Sequence, residues 1–332
     1  MNLISDENLQ LVTGQIVVGQ GVLVAYDLGF FKLLNDKTLS IHDIAKHLKI
    51  STRSVQALIS CCCTMDLVVS EDGKTYGLSL SGKTFLTPEV KTFYGGVFDL
   101  LIKQVKIMDF EVIKKSILTN APQIDDQSDL FSSEGLGSTV EFVRATHQKA
   151  VAPAFYWTNV LKLDGYNRFI DIGGGSGVHT IAACLNNPSL AGILCDRQPV
   201  INCAKDYVRE FNLCDRVVLK ELDMWNHPFP EGDIYFFGDI FHDWSKENCA
   251  LLARECFCRL PKNGLIILHE MLFNTHKTGP LLSAAYNMKM MLWTKGQQFS
   301  FLELKEILQA EGFRDIKSFK GLGNWSIIIG KK

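Results

Sequence analysis

The chain has 332 residues, of which 47% are hydrophobic and 21% charged, with a formal net charge of -2. That is enough apolar mass for about two packed domains. It also gives no global positive field to hold nucleic acid or an anionic membrane. The ten cysteines follow no disulfide framework. Cys61, Cys62 and Cys63 are consecutive, and Cys256-Phe257-Cys258 has the wrong spacing for zinc and lacks a second pair. Reduced thiols in a cytoplasmic protein without a metal site are the expectation. The first residues, Met1 to Glu7, carry no basic stretch ahead of an apolar block, so no signal peptide is expected. The apolar stretch from Ile16 to Leu34 is broken by Gly19, Gly21, Asp27 and Gly29, which argues against a membrane helix.

Residues 8–35 read as a helix too apolar to stand alone, so it buries against another chain or domain. Ser40 is the candidate cap of a helix that puts Ile41, Ile44, Ala45 and Leu48 on one face. Ser51 caps a second helix, in which Val55, Leu58 and Ile59 recur. Strands at 67–69 and 75–78 flank the turn Glu71-Asp72-Gly73-Lys74. Helix, turn, helix and hairpin make a winged-helix module over residues 1–100. A groove reader needs a basic face, and the second helix offers only Arg53 and Gln56, so a dimerising role is expected rather than DNA binding. Residues 101–160 form a mostly helical connector. Its polar loop, Thr119 to Ser138 with Asp125, Asp126 and Asp129, reads as a solvated connection rather than a metal site.

From Asn167 the texture changes to alternating strands and helices, so residues 161–332 predict a doubly wound α/β domain of Rossmann-like type. Strands are expected at 168–172, 192–195, 217–222, 234–237 and 265–268. Two last runs, 316–319 and 325–329, predict an antiparallel pair at the sheet edge.

The first of these strands runs into Asp171-Ile172-Gly173-Gly174-Gly175-Ser176-Gly177. Glycine there permits a tight turn and close approach of a ligand to backbone. A dinucleotide fingerprint would need a third glycine where Val178 stands, so the nicotinamide pattern is incomplete. Asp196, followed by Arg197, ends the second strand 21 positions after Gly175 and can accept hydrogen bonds from a ribose. Leu222-Asp223-Met224-Trp225 ends the third, placing an acid for an adenine amino group and an apolar cover for its ring. In this order the residues read as a site for S-adenosylmethionine (SAM), releasing S-adenosylhomocysteine. Asp239 closes the fourth strand beside it.

His242 follows at the same strand end, where open α/β sheets bind ligands. With an ordinary pKa of about 6.5 it suits a general base at neutral pH. Glu270, at the end of the fifth strand, can fix its tautomer and orientation. In-out alternation puts the competing base His269 on the opposite side from Glu270.

Together these residues resemble the small-molecule SAM-dependent O-methyltransferases of the caffeate and hydroxyindole type, over nearly the whole chain. The segment His242-Asp243-Trp244-Ser245 is the most specific element of the likeness. The resemblance implies methyl transfer to a hydroxyl of a small, aromatic molecule, with His242 as base and Glu270 orienting it. It implies a homodimer through the N-terminal domain, and a substrate pocket lined by Phe142, Thr146, His147, Phe155, Trp157, Asn287, Met291 and Trp293. Two positions depart from the family. Gly238 and Asp239 stand where an Arg, Lys or Trp is common, and Gln298 stands where a second glutamate is common. These departures leave open a non-methylating reaction on the same fold, such as rearrangement, decarboxylation or hydroxylation. A DNA-binding regulator is the other alternative.

Overall fold

The computed structural model describes residues 5–124 and 136–332, and the chain divides into two compact units, 1–102 and 103–332. Asp125, Asp126 and Asp129 lie outside the described residues.

The first unit opens with helix α1, Glu7–Asp27, which ends at Leu28 ahead of Gly29, whose φ is 73°. Only Val22, Leu23 and Ala25 of α1 are buried, while Leu9, Val12, Ile16 and Val17 are more than half exposed. Among the described residues this is the one helix long and apolar enough to cross a membrane, judged by length and composition alone. The glycines at 14, 19 and 21 cost helical propensity but do not break the helix. Helices α2 (Phe30–Leu33), α3 (Ile41–Leu48) and α4 (Thr52–Thr64) follow. Ser40 and Ser51 cap the last two, each hydroxyl accepting an N–H three residues on, from Asp43 and Ser54. Strands β2 (Val68–Val69) and β3 (Thr75–Leu78) pair antiparallel. Asp72 closes their turn by accepting the N–H groups of Lys74 and Thr75 at 2.8 and 2.7 Å. A further strand, β1 (Leu39–Ser40), pairs with the other edge of β3. Two residues are too few to leave a periodic signal in sequence. Helix α5 (Leu80–Phe85) follows. The core here joins Phe30, Phe31 and Leu34 to Ile44, Val55, Ile59, Cys62 and Val68.

The second unit is built on a seven-stranded sheet of order β6-β5-β4-β7-β8-β10-β9. Strands β4 (Arg168–Ile172), β5 (Ala191–Asp196), β6 (Val217–Glu221), β7 (Ile234–Gly238) and β8 (Leu265–Met271) are parallel, while β9 (Arg314–Lys320) and β10 (Trp325–Lys331) form the antiparallel edge. Strand β8 is buried along its whole length, as a central strand covered on both faces must be. It runs three residues beyond the expected end, which keeps His269 and Glu270 in extended geometry and on opposite faces. Helices Val178–Asn186, Gln198–Glu210 and Lys246–Arg259 connect the parallel strands. The strand order reverses between β4 and β7, so their carboxyl ends flank the crevice where such sheets bind ligands.

Candidate active site

The glycine turn leaves β4 with positive φ at Gly173, Gly175 and Gly177. A Cβ on Gly173 would also collide with the Ile240 side chain, so that position admits only glycine. Around Gly175 nothing lies within 4 Å of where a Cβ would stand, so the turn presents an open face. Asp196 reaches back across it. Its Oδ2 accepts the Gly175 N–H at 2.9 Å and its Oδ1 the Arg197 N–H at 2.7 Å. Burial raises this acid to about 6 against the pull of those two donors. Each carboxylate oxygen keeps acceptor capacity to spare. Arg197 itself caps the helix Gln198–Glu210 through its backbone.

Asp171 does not join this face. Its buried carboxylate accepts the Thr180 hydroxyl at 2.6 Å and lies directly beneath Gly174. Burial raises it to about 7. Here the carboxylate braces the turn from within, bonded to Thr180 and packed against Gly174.

Asp223 sits at the end of β6, its carboxylate held by the Trp225 N–H and the Asn226 amide at 3.0 Å each, which lower its pKa. The Met224 methyl lies beside Gly173, 3.8 Å from the position of a Cβ there. Trp225 meets Trp244 edge-on with centroids 4.6 Å apart. The structure therefore gathers the ends of β4, β5 and β6 around one open face, and these residues fit the nucleoside part of a SAM molecule.

Beyond β7 the chain makes a short 3-10 turn, Phe241–Asp243. His242 is 5% exposed there and Glu270 2%, so neither is solvated. His242 Nδ1 stands 2.6 Å from Glu270 Oε2, while Glu270 Oε1 accepts the N–H groups of Phe241 and His242 at 2.9 and 3.4 Å. His242 Nε2 faces Asp243 Oδ1 at 3.5 Å. Burial alone would lower the histidine's pKa, but Glu270, then Asp243, outweigh it and push the imidazole up to about 10. Three acids, Glu270, Asp243 and Asp239, surround the imidazole, where only Glu270 was expected from the sequence. Asp243 is itself raised to about 6 by burial.

Asp239 has φ 58° and donates its N–H to the His269 carbonyl at 3.0 Å. Its Oδ2 binds the Lys149 ammonium at 2.6 Å and its Oδ1 lies 3.8 Å from His242 Nδ1. Burial would raise the acid, but Lys149 and then His242 hold it below the carboxylate range. Lys149, from the helix Leu136–Val160, also donates to the Tyr286 hydroxyl at 2.9 Å. A cation thus does stand beside the strand end, supplied by a distant helix. Potential ligand atoms of Asp239, His242 and Glu270 lie within 4.8 Å of one another. Asp239 is engaged by Lys149 and Glu270 by His242, so the group is an ion-pair network. Gln298 is fully buried, and neither its amide oxygen nor its amide nitrogen has a hydrogen-bond partner among the described residues.

The expected pocket residues divide. Asn287 accepts the Gln298 N–H at 2.9 Å and neighbours Tyr286, whose ring lies 6.1 Å from that of His242. Met291 and Trp293 share the helix Leu281–Trp293, and both are half-buried, as is Phe142. Trp157 is fully buried in the core, stacked 5.1 Å from Phe236 and donating to His179 Nδ1 at 2.9 Å. Phe155 turns instead to Phe211, at 6.3 Å, and Thr146 bonds back to carbonyls of its own helix. His147 meets Ser176 of the glycine turn at 2.8 Å and stacks on Tyr207. A helix shows several faces, and the sequence alone did not say which one met the site. Lys149 and Tyr286 were not expected for the same reason: nothing near them in sequence marks them as neighbours of Asp239 and His242.

A doubly wound sheet with an open glycine turn and a buried histidine–glutamate pair at the switch point defines an enzyme of the SAM-methyltransferase class. Residues 139–314 match the O-methyltransferase domain, and residues 9–88 the O-methyltransferase dimerisation domain. A 3-hydroxy-5-methyl-1-naphthoate 3-O-methyltransferase of Streptomyces sahachiroi is 23% identical, over 94% of this chain and 91% of that one. Acetylserotonin O-methyltransferase of Macaca mulatta is 25% identical, over 96% of both chains. Human N-acetylserotonin methyltransferase, solved in complex with SAM, superposes with a TM-score of 0.84 at 21% identity, covering 100% of this chain and 99% of that one. The chain belongs to the O-methyltransferase family, whose methyl donor is SAM.

Proposed function

We propose that this enzyme methylates a hydroxyl of a small aromatic molecule, with His242 removing the acceptor's proton and Glu270 orienting the imidazole. The observation that carries the reading is the 2.6 Å contact between His242 Nδ1 and Glu270 at the carboxyl end of β7. It commits one ring nitrogen, so Nε2, 3.5 Å from Asp243 Oδ1, is the nitrogen that would take an acceptor's proton. The relatives named above act on 3-hydroxy-5-methyl-1-naphthoate and acetylserotonin, which supports an aromatic acceptor.

SAM, when bound, supplies an electrophilic methyl on a sulfonium cation. Asp196 would accept from its ribose, Asp223 from its adenine, and Met224 with Trp225 would cover the ring. Burial of His242 and Glu270 keeps water from competing for the proton. A phenol's pKa is about 10, and the surrounding acids raise His242 well above its ordinary value, which strengthens it as a base for such a proton. The histidine must be neutral to accept that proton, so kcat/KM rises with pH. The limb lies above the ordinary histidine range. In Glu270→Gln, which removes the largest upward pull, it moves to lower pH. Incubation with labelled SAM and hydroxylated aromatics tests the reading. It fails if no hydroxyl is methylated, or if the limb stays in place in Glu270→Gln.

The enzyme works as a homodimer joined through residues 9–88. The exposed apolar side chains of α1 support this, since a row such as Leu9, Val12, Ile16 and Val17 calls for a partner surface.

A further inference from the structure

The roles above use His242, Glu270, Asp239 and Lys149, and beside Tyr286 they leave the cation Lys289 without an acid among the described residues. Lys289 is half-buried on the helix Leu281–Trp293. Its ammonium meets a neutral oxygen, Gln104 Oε1, at 3.4 Å, and no carboxylate of the described residues lies within ion-pairing distance. It stands 5.7 Å from the centroid of the Tyr286 ring. The same ring lies 6.1 Å from the His242 ring and carries Lys149 at 5.2 Å on its way to Asp239. Tyr286 is therefore flanked by a candidate base and two ammonium groups, of which only one is neutralised. An ammonium withdrawn from water without a counter-charge is costly, which is why such groups are paired in most folds. Burial and the charge of Lys149 lower Lys289 to about 8, which leaves it a cation at neutral pH.

We infer that Lys289 binds a carboxylate on the acceptor, so that the substrates of this enzyme are hydroxylated aromatic acids rather than neutral phenols. An aromatic ring lying along Tyr286 would offer its hydroxyl toward His242 and its carboxylate toward Lys289. The Gln104 amide oxygen now accepts from this ammonium, and an incoming carboxylate would take over that contact. This rests on the aromatic-acceptor reading above and narrows it.

The test is calorimetric binding to the S-adenosylhomocysteine-loaded enzyme of two matched pairs, 3-hydroxybenzoate against 3-hydroxybenzamide and 3-hydroxy-2-naphthoate against 3-hydroxy-2-naphthamide. The wild type is expected to bind the acid of at least one pair about tenfold to a hundredfold more tightly, the usual range for a charge-assisted contact. Lys289→Met should bring that ratio to about one, and Lys289→Arg should keep most of it. Equal binding of acid and amide by the wild type, binding of neither acid, or a preference that survives Lys289→Met overturns the inference. Methyl transfer to the same compounds is measured in parallel. Transfer without acid preference sinks the role of Lys289 and leaves hydroxyl methylation standing. Acid-selective binding lost in Lys289→Met but without transfer upholds Lys289 and counts against hydroxyl methylation.

Discussion

The two halves of the crevice are made of different material. At the ends of β4, β5 and β6 the site is mostly backbone: glycines at positive φ, N–H groups directed by the turn, and Asp196 tied to one of them, Gly175, and to the Arg197 N–H. At the ends of β7 and β8 it is mostly charge: a buried His242–Glu270 pair ringed by the half-buried Asp239, Asp243 and Lys149. On the proposed reading, the first half would hold the cofactor by shape and hydrogen bonds, and the second would set the proton affinity of one imidazole. Damage to the first should weaken cofactor binding, and damage to the second should slow the reaction.

The largest expected separation comes from His242→Gln. It should lower kcat by roughly 10² to 10⁴, the usual share of a general base, with cofactor affinity by calorimetry nearly unchanged. If affinity collapsed along with kcat, the division between the halves would be wrong.

Glu270→Gln comes next. It leaves a buried imidazole without its partner, so denaturant unfolding at neutral pH should show a loss of about 3–5 kcal/mol. The sign with pH follows from the direction of the shift. His242 is raised in the folded state, so its contribution is complete below about 6.5 and is lost as pH climbs through about 10. The gap between wild type and variant should therefore narrow toward pH 10. A gap independent of pH would show that the pair is not what stabilises the fold there.

Asp196→Asn should weaken S-adenosylhomocysteine binding about tenfold to a hundredfold with kcat at saturating SAM little altered. Asp196 is raised to about 6 and must be ionised to accept well, so wild-type affinity should fall as pH drops through about 6. The variant should be flat there, and a wild type equally flat would count against the ribose role.

The smallest effect belongs to Trp225→Ala, about twofold to fivefold in cofactor affinity. Trp225 is 37% exposed and touches Trp244 only edge-on. A much larger loss would mean that this ring, and not Asp196, carries the nucleoside.

Much of this was legible in the chain itself. The capping serines at 40 and 51, the five parallel strands, and the order glycine turn, Asp196, Asp223, His242, Glu270 are local signals, because each depends on a periodicity or on a residue at a strand end. Strand alternation alone separated Glu270 from His269. The tertiary structure decided what local signals cannot carry. It turned Asp171 under the turn, sank Trp157 into the core, and brought Lys149 and Tyr286 from distant helices to Asp239. It also raised the proton affinity of His242, which depends on how many acids meet in one dry place. Sequence orders the groups along the chain. Which of them share a few ångströms of low-dielectric space is fixed only when the strands and helices pack, and electrostatics follows that distance.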